Sequence, residues 1–317
     1  MPLSSFNMSV TINDNGQSSA TRDVKEFNTF DNWLKTTVDT ELNFSYNTDN
    51  EFNQKISALK GFVEISVFHM NIRSLNKNDN KLYNFLLTLN LAFDVIVLSE
   101  IWDHNLELYG NLFDGYTFYS DTCASSRVGG IGVYVKFFCV CNKLDSLKIN
   151  SNNNTVENIW LEIYRGKHKY VLVAIYGHPN QHIDDFNALL DERLCEIRKS
   201  NTPCIIAGDF NIDLCKYSSH NATTEYVNSL LINNFLPAIV MATRITEISA
   251  TIIDHIYYYE GINGKQELTV VSGNLWCDIS DHLPNYILIT GKAKQKINND
   301  RPLLDYIPPV ICKNFSR

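Results

Sequence analysis

The sequence predicts an α/β protein in which two packed β-sheets are flanked by helices. Three observations point there. Many short apolar runs have the β-branched and aromatic content of strands, and several are spaced like hairpins. Some runs, such as Phe93 to Leu98, are continuously apolar, as expected of strands buried on both faces. A few intervening segments carry apolar residues at helical spacing instead.

Taken in order, residues 1 to about 22 are polar and small and read as disordered. From Asp23 to Lys60 the composition is mixed. Phe27, Phe30, Trp33, Leu34 and Val38 recur at roughly helical spacing, which predicts a short amphipathic helix. The compact region starts near Phe62. Val63 to Phe68 alternates as a strand does, Leu82 to Leu91 has helical spacing, and Phe93 to Leu98 is a buried strand. Further strands are expected at Tyr116–Tyr119, Ile131–Cys139, Asn158–Tyr164, Tyr170–Tyr176, Cys204–Ala207, Ile252–Tyr258, Leu268–Val271 and Asn285–Thr290. Helices are expected at Ile183–Lys199 and Glu225–Asn233. Beyond Gly291 the chain turns polar and Lys-rich and ends in RPLLDYIPPV, which reads as a linker. The expected division is a partly disordered N-terminal segment at 1–60, one domain at 61–292 and a tail at 293–317.

The bulk numbers bound the chemistry. A length of 317 residues suits one large domain or two small ones, and 44% hydrophobic residues supply a substantial core. A net charge of -8 argues against tight, non-specific nucleic-acid binding through a basic surface. It is compatible with an enzyme that holds a divalent cation on carboxylates and brings it to a phosphate. None of the eight cysteines falls in a CxxC pair, so a zinc site has little support. The N-terminal MPLSSFNMSV lacks a basic region followed by an apolar stretch, so no signal peptide is apparent, and no apolar run is long enough to span a bilayer. An intracellular protein is expected, not a secreted or membrane one.

The motifs then specify a reaction. Phosphodiester hydrolysis needs a cation against the phosphate, a base for water, donors for the extra transition-state charge, and help for the leaving oxygen. Glu100 closes the apolar run of FDVIVLSEIW, where a carboxylate can hold Mg²⁺. Asn71 in FHMNIRSL would steady that carboxylate or a metal-bound water. Asp209 and Asn211 follow the strand of IIAGDFNID. Gly208 lets the backbone turn, and in an extended chain both side chains face one phosphate, Asp209 as base and Asn211 as donor. Tyr176 ends a strand in AIYGHP and offers a phenol to the phosphate. Asp254 in SATIIDHIYY would orient His282 in DISDHLP, and a paired imidazole stays protonated and fixed in direction. Asp281 would sit near the metal or the leaving group. His69 and His255 read as structural.

Together with GGIGVYVK and TRIT, these motifs resemble the endonuclease/exonuclease/phosphatase superfamily, and within it the apurinic/apyrimidinic-like endonuclease domain of non-LTR retrotransposons of the jockey-like kind. The resemblance covers roughly Phe62 to Gly291. It implies a four-layer α/β sandwich of two packed mixed β-sheets flanked by helices. It implies Mg²⁺, or Mn²⁺, held chiefly by Glu100 with help from Asn71 and Asp281. It implies Asp209 and Asn211 at the nucleophile, Tyr176 at the phosphate, an Asp254–His282 pair, Thr243 near the target DNA, and Ser280 in the residue position before Asp281 and His282. Arg73 stands where some superfamily nucleases have a carboxylate, which leaves it for a DNA phosphate or for solvent. The implied activity is nicking of one DNA strand to leave a 3′-hydroxyl for target-primed reverse transcription. The implied partners are DNA and a reverse transcriptase domain or element RNA, with at least transient nuclear access. Ending at Arg317 without a polymerase region, the chain reads as a fragment, a truncated copy or an isolated nuclease. A phosphatase or phosphodiesterase acting on a small or lipid phosphoester, and a catalytically silent relic that binds DNA or a partner, are the alternatives. Target choice is expected in the loops at Ala124–Arg127, Ser218–Thr224 and Gly261–Gln266.

Overall fold

The computed structural model describes residues 43–59, 62–103, 105–122, 128–151, 155–261 and 268–291. It also gives the backbone of a short antiparallel ladder, Thr11–Ile12 with Ser18–Ser19. The amphipathic helix expected around Phe27–Val38, the tail at 293–317, the loop at Ala124–Arg127 and most of Gly261–Gln266 lie outside the described residues.

Two mixed sheets form the centre. The first is seven-stranded. In spatial order it contains β1 (Asn43–Asn47), β14 (Leu268–Leu275), β15 (Asn285–Gly291), β2 (Phe62–Asn71), β3 (Val95–Ser99), β5 (Ile131–Lys136) and β4 (Tyr116–Asp121). The second is six-stranded. It runs β10 (Leu236–Pro237), β13 (Asp254–Tyr259), β9 (Cys204–Asp209), β8 (His168–Gly177), β7 (Val156–Arg165) and β6 (Val140–Lys143). A small hairpin, β11 (Arg244–Ile245) with β12 (Ala250–Thr251), stands apart.

Alternation along the strands sends residues to two faces of each sheet, and the cores follow that split. Between the sheets, Val67, Val97 and Val133 of the first pack with Leu161, Leu172 and Ile205 of the second. On the outer face of the second sheet, Val173 and Ile206 meet Phe186, Leu190, Leu194 and Ile197 of helix α3 (Ile183–Ser200) and Tyr226 and Leu230 of α4 (Asn221–Ile232). On the outer face of the first, Phe68 and Leu98 meet Phe52 of α1 (Asp49–Ala58) and Leu75 and Leu82 of α2 (Leu75–Thr88). The result is the expected four-layer α/β sandwich.

Differences from the sequence reading have local causes. The run Ile131–Cys139 is not one strand. It leaves the first sheet after Lys136, turns through exposed Phe137 and Phe138, and re-enters the second sheet at Val140. Continuous apolarity hides such a crossing, because both sheets want the same residues. Helix α2 starts at Leu75 rather than Leu82, because a polar stretch separates its first buried leucine from the next.

Ahead of residue 60, β1 and α1 are built into the same body. β1 pairs in parallel with β14. α1 begins with a capping box, in which Thr48 Oγ1 accepts from Glu51 N at 3.2 Å and Glu51 Oε2 accepts from Thr48 N at 2.8 Å. Its single fully buried residue, Phe52, sits against Phe93 and edge-on to Tyr286. Phe52→Ala should therefore cost about 3–5 kcal/mol. Chemical denaturation of the two proteins would measure it, and a loss below about 1 kcal/mol would mean that α1 packs only loosely.

Candidate active site

Strand register assembles the site. In the second sheet Tyr176 lies opposite both Glu157 and Asp209, and Asp209 lies opposite Asp254. Glu157, Tyr176, Asp209 and Asp254 thus form a row across four adjacent strands. In the first sheet Asn71 and Ser99 end neighbouring parallel strands, with Glu100 one residue beyond. The rows meet across the sandwich where Asn71 Nδ2 donates to Asp209 Oδ2 at 2.7 Å. Both side chains are fully buried. Strand-end placement and packing of the two sheets are what bring residues distant in sequence to one point.

From Asp209 the network continues. Asp209, Asp254 and His282 place ligand-type atoms within 4.8 Å of one another. His282 Nδ1 lies 2.9 Å from Asp254 Oδ2. Thr243 Oγ1 accepts from the backbone N–H of Asp254 at 3.1 Å. Ser280 Oγ donates to the carbonyl of Asn71 at 2.8 Å and accepts from His282 N at 3.1 Å, which ties the histidine to the first sheet. On the other side, the Tyr176 hydroxyl donates to Glu100 Oε1 at 3.4 Å.

Burial and charge set the protonation states. Burial and then the Asp254 carboxylate push Asp209 up to about 8. Burial alone would lower His282, but Asp254 and then Asp209 hold it up to about 9. Burial would raise Asp254, yet the charge and hydrogen bond of His282 leave it lowered. Burial, followed by the Glu100 and Asp209 carboxylates, raises the Tyr176 phenol well beyond its ordinary range, so it remains a neutral donor. His69 and His255 are buried and brought down to about 4, mainly by burial. His69 is bonded to Ser99 and Asn285, and His255 to Tyr226 and the Ile252 carbonyl.

Four expectations for individual residues change. Gly208 does not turn the chain, which stays in β9 through Asp209. A Cβ there would lie 1.8 Å from the Ile175 carbonyl oxygen, so glycine is needed for close approach of the strands. Asn211 does not continue an extended chain. Its φ is +51°, its N–H donates to Asp209 Oδ1 at 3.0 Å, and its amide donates to the Gly177 carbonyl at 2.8 Å. Thr243 is fully buried and occupied with backbone N–H groups, so it supports Asp254 rather than meeting DNA. Asp281 has both oxygens engaged, Oδ1 by Arg73 Nη1 at 2.7 Å and Oδ2 by Arg244 Nε at 2.8 Å. Burial would raise its carboxyl, but the two guanidiniums hold it down to about 2.

Glu100, and the Asn71 amide oxygen, which accepts from Arg73 N at 3.2 Å and keeps a second lone pair, are hard oxygen donors of the kind a divalent cation takes. Glu100 is a half-buried carboxylate at φ +56°, turned out of the strand direction beside the Tyr176 hydroxyl. Asp281 fits poorly, because two guanidiniums already occupy its oxygens. The Asp209–Asp254–His282 trio has ligand-like spacing, but an imidazole that stays protonated against Asp254 is a proton donor and not a ligand.

Three residues lay outside the sequence reading. Arg244 pairs with Asp281; it lies inside the TRIT motif, where the resemblance gives a role to Thr243 alone. Buried Glu157 and half-buried His178 form a pair beside Tyr176. His178 Nε2 lies 3.3 Å from Glu157 Oε1, and Glu157 Oε2 accepts from Gly130 N at 2.5 Å. The signal for Glu157 was an acidic residue inside the apolar run VENIWLEIY.

A family model described as Endonuclease/Exonuclease/phosphatase family matches residues 68–282. No curated protein matches the chain in sequence. Among solved structures, the chain is similar to the endonuclease domain of TRAS1, a telomere-specific non-LTR retrotransposon, with 13% identity, a TM-score of 0.55, and coverage of 72% of this chain and 99% of that one. It is similar to D. rerio TDP2 complexed with single strand DNA product, at 12% identity and TM-score 0.53, covering 71% and 98%. It is also similar to a Bacteroides thetaiotaomicron mannosyl-6-phosphatase, at 14% identity and TM-score 0.52, covering 71% and 99%. At these identities the likeness is one of fold.

Proposed function

Because the chain belongs to the endonuclease/exonuclease/phosphatase family, whose members are metal-dependent hydrolases of phosphodiester or phosphoester bonds, we propose that it is an Mg²⁺-dependent endonuclease that nicks one strand of DNA and leaves a 3′-hydroxyl. Mn²⁺ would serve in place of Mg²⁺. The observation that carries this reading is the gathering of these groups at one end of the two sheets: Tyr176 bonded to Glu100, Asn71 bonded to Asp209 across the sandwich, and Asp209 within 4.8 Å of the Asp254–His282 pair. The motif wording and the span of the likeness to a retrotransposon endonuclease domain favour DNA, with a reverse transcriptase domain or element RNA as partner and an intracellular site of action reaching the nucleus.

Each residue has a role that follows from its surroundings. Asp209, aimed by the Asn71 amide, accepts the proton of the attacking water. Protonated His282, fixed by Asp254, donates to a phosphoryl oxygen as charge builds there. The Tyr176 phenol donates to the phosphate or the leaving oxygen. The Asn211 amide has a second N–H beyond the one given to Gly177, which is available to donate to the phosphate. A divalent cation held by Glu100 and Asn71 would supply charge neutralisation and stabilise the departing alkoxide. The bond between phosphorus and O3′ breaks, O3′ gains a proton, and the water oxygen stays on the 5′-phosphate.

Incubating the full chain with supercoiled plasmid and Mg²⁺, beside mannose 6-phosphate and a nitrophenyl phosphate monoester, tests the substrate class. Open circles without phosphate release are expected. Phosphate release from monoesters with intact plasmid would reject the reading.

A pH dependence follows from His282. Its folded-state pKa, raised to about 9, lies above the ordinary histidine value, so the donor is present below about 9 and lost above it. Nicking should therefore fall as pH rises through about 9. The stability contributed by the Asp254–His282 pair should be full below the unfolded histidine value and vanish over the same rise. Initial rates and thermal unfolding across that range measure both, and a rate still rising beyond pH 10 would contradict the assignment.

A further inference from the structure

We propose that Arg73 and Arg244, joined through Asp281, form a clamp for a phosphate flanking the one that is cut. The inference rests on the DNA reading above. One carboxylate carries two guanidiniums here, so the cluster is left with one net positive charge in a chain whose net charge is -8. The side chains of Arg73 and Arg244 are 43% and 37% exposed, and that of Asp281 is 23% exposed. Each guanidinium gives one nitrogen to Asp281, and among the described residues neither makes another hydrogen bond. A guanidinium has five N–H donors in a planar fork suited to phosphate, so most of that capacity still faces solvent.

The two cations are also held in place. The Arg73 guanidinium lies 5.9 Å from the centroid of the half-exposed Trp102 ring. Its loop is anchored by Arg73 N to Asn71 Oδ1 at 3.2 Å and Ser74 N to Glu100 O at 2.8 Å. Arg244 is fixed from its backbone by a β-bridge to His282. Both are thus tied to the residues that would act on the phosphodiester. Exposed ion pairs add little stability, and two like charges on one carboxylate repel each other, so fold stability is a weak reason for this arrangement. An arriving phosphate would relieve the repulsion between the two guanidiniums.

The test measures binding of the full chain to a short duplex in Ca²⁺, by fluorescence anisotropy over a range of salt. Arg73→Met and Arg244→Met should each weaken binding about 10-fold and reduce the slope of log affinity against log salt by about 1. Arg73→Lys and Arg244→Lys, which keep the charge and spare the fold, should keep the slope and lose about 3- to 10-fold in affinity because the fork is gone. A merely structural pair would change thermal unfolding and leave the salt slope untouched. Unchanged slope and affinity in the methionine variants, or in the lysine variants if the former fail to fold, would overturn the clamp while the wild type still nicks DNA. Should the wild type neither bind nor nick DNA, the same variants are read on a small nitrophenyl phosphodiester. A 10-fold rise in KM would uphold the clamp without the DNA reading, and an unchanged KM would reject it.

Discussion

Asp209→Asn is expected to slow plasmid nicking by about 10²- to 10⁴-fold, the scale of a lost general base, and to raise thermal stability in EDTA at pH 8. The two effects share one cause. Asp209 sits fully buried between the Asn71 amide and the Asp254–His282 pair, and burial with Asp254 pushes its carboxyl up to about 8. A carboxyl whose folded-state pKa is raised binds protons more tightly folded than unfolded. Stability therefore declines as pH climbs from the unfolded value near 4 through about 8. The amide fills the same volume and carries no charge, so the penalty disappears along with the proton acceptor. Asp209→Ala would lose the same activity but also strand the buried Asn71 donor, and should melt lower. Initial rates and melting curves in EDTA separate these outcomes. An asparagine variant within 10-fold of wild type would remove Asp209 from the chemistry.

Glu100→Ala is expected to lower the rate by about 10³-fold at moderate Mg²⁺ and to raise the Mg²⁺ concentration for half-maximal rate by more than 10-fold. Glu100 is placed by structure rather than by chance of exposure. Its strand ends at Ser99, its own φ is +56°, and its carbonyl accepts from Ser74 N at 2.8 Å. The side chain thereby meets the Tyr176 hydroxyl. Asp281, in contrast, already serves two arginines, so Asp281→Asn should leave the Mg²⁺ dependence nearly unchanged. Trp102, two residues after Glu100, gives a readout independent of turnover. Its fluorescence should respond to Mg²⁺ in the wild type and not in Glu100→Ala. An equal response in both proteins would place the cation elsewhere.

The fold was legible because it rests on patterning. Runs such as Val95–Ser99 and Cys204–Asp209 are buried throughout, and helix α3 shows its buried face at regular spacing. What patterning could not show was which sheet a run joins. The crossing at Phe137 and Phe138 and the entry of Asn43–Asn47 into the first sheet are long-range events. The same limit applied to the site. Residues at strand ends were visible as polar groups after apolar runs, and the contacts now join Asn71, Asp209, Asp254 and His282. Side-chain direction was not visible. Asn211 turns at a left-handed backbone angle, Thr243 is spent on Asp254, and Asp281 is held by Arg244, a residue whose partner lies far along the chain.

In the proposed function, groups from both sheets form one centre that hydrolyses a DNA phosphodiester on its O3′ side. The most direct measurement is the end chemistry of nicked plasmid, read by polymerase extension from the nick with wild type and His282→Ala. Extendable 3′-hydroxyl ends with wild type, and nicking reduced by at least about 100-fold in His282→Ala, are predicted. Blocked 3′-phosphate ends, or undiminished nicking without His282, would contradict it.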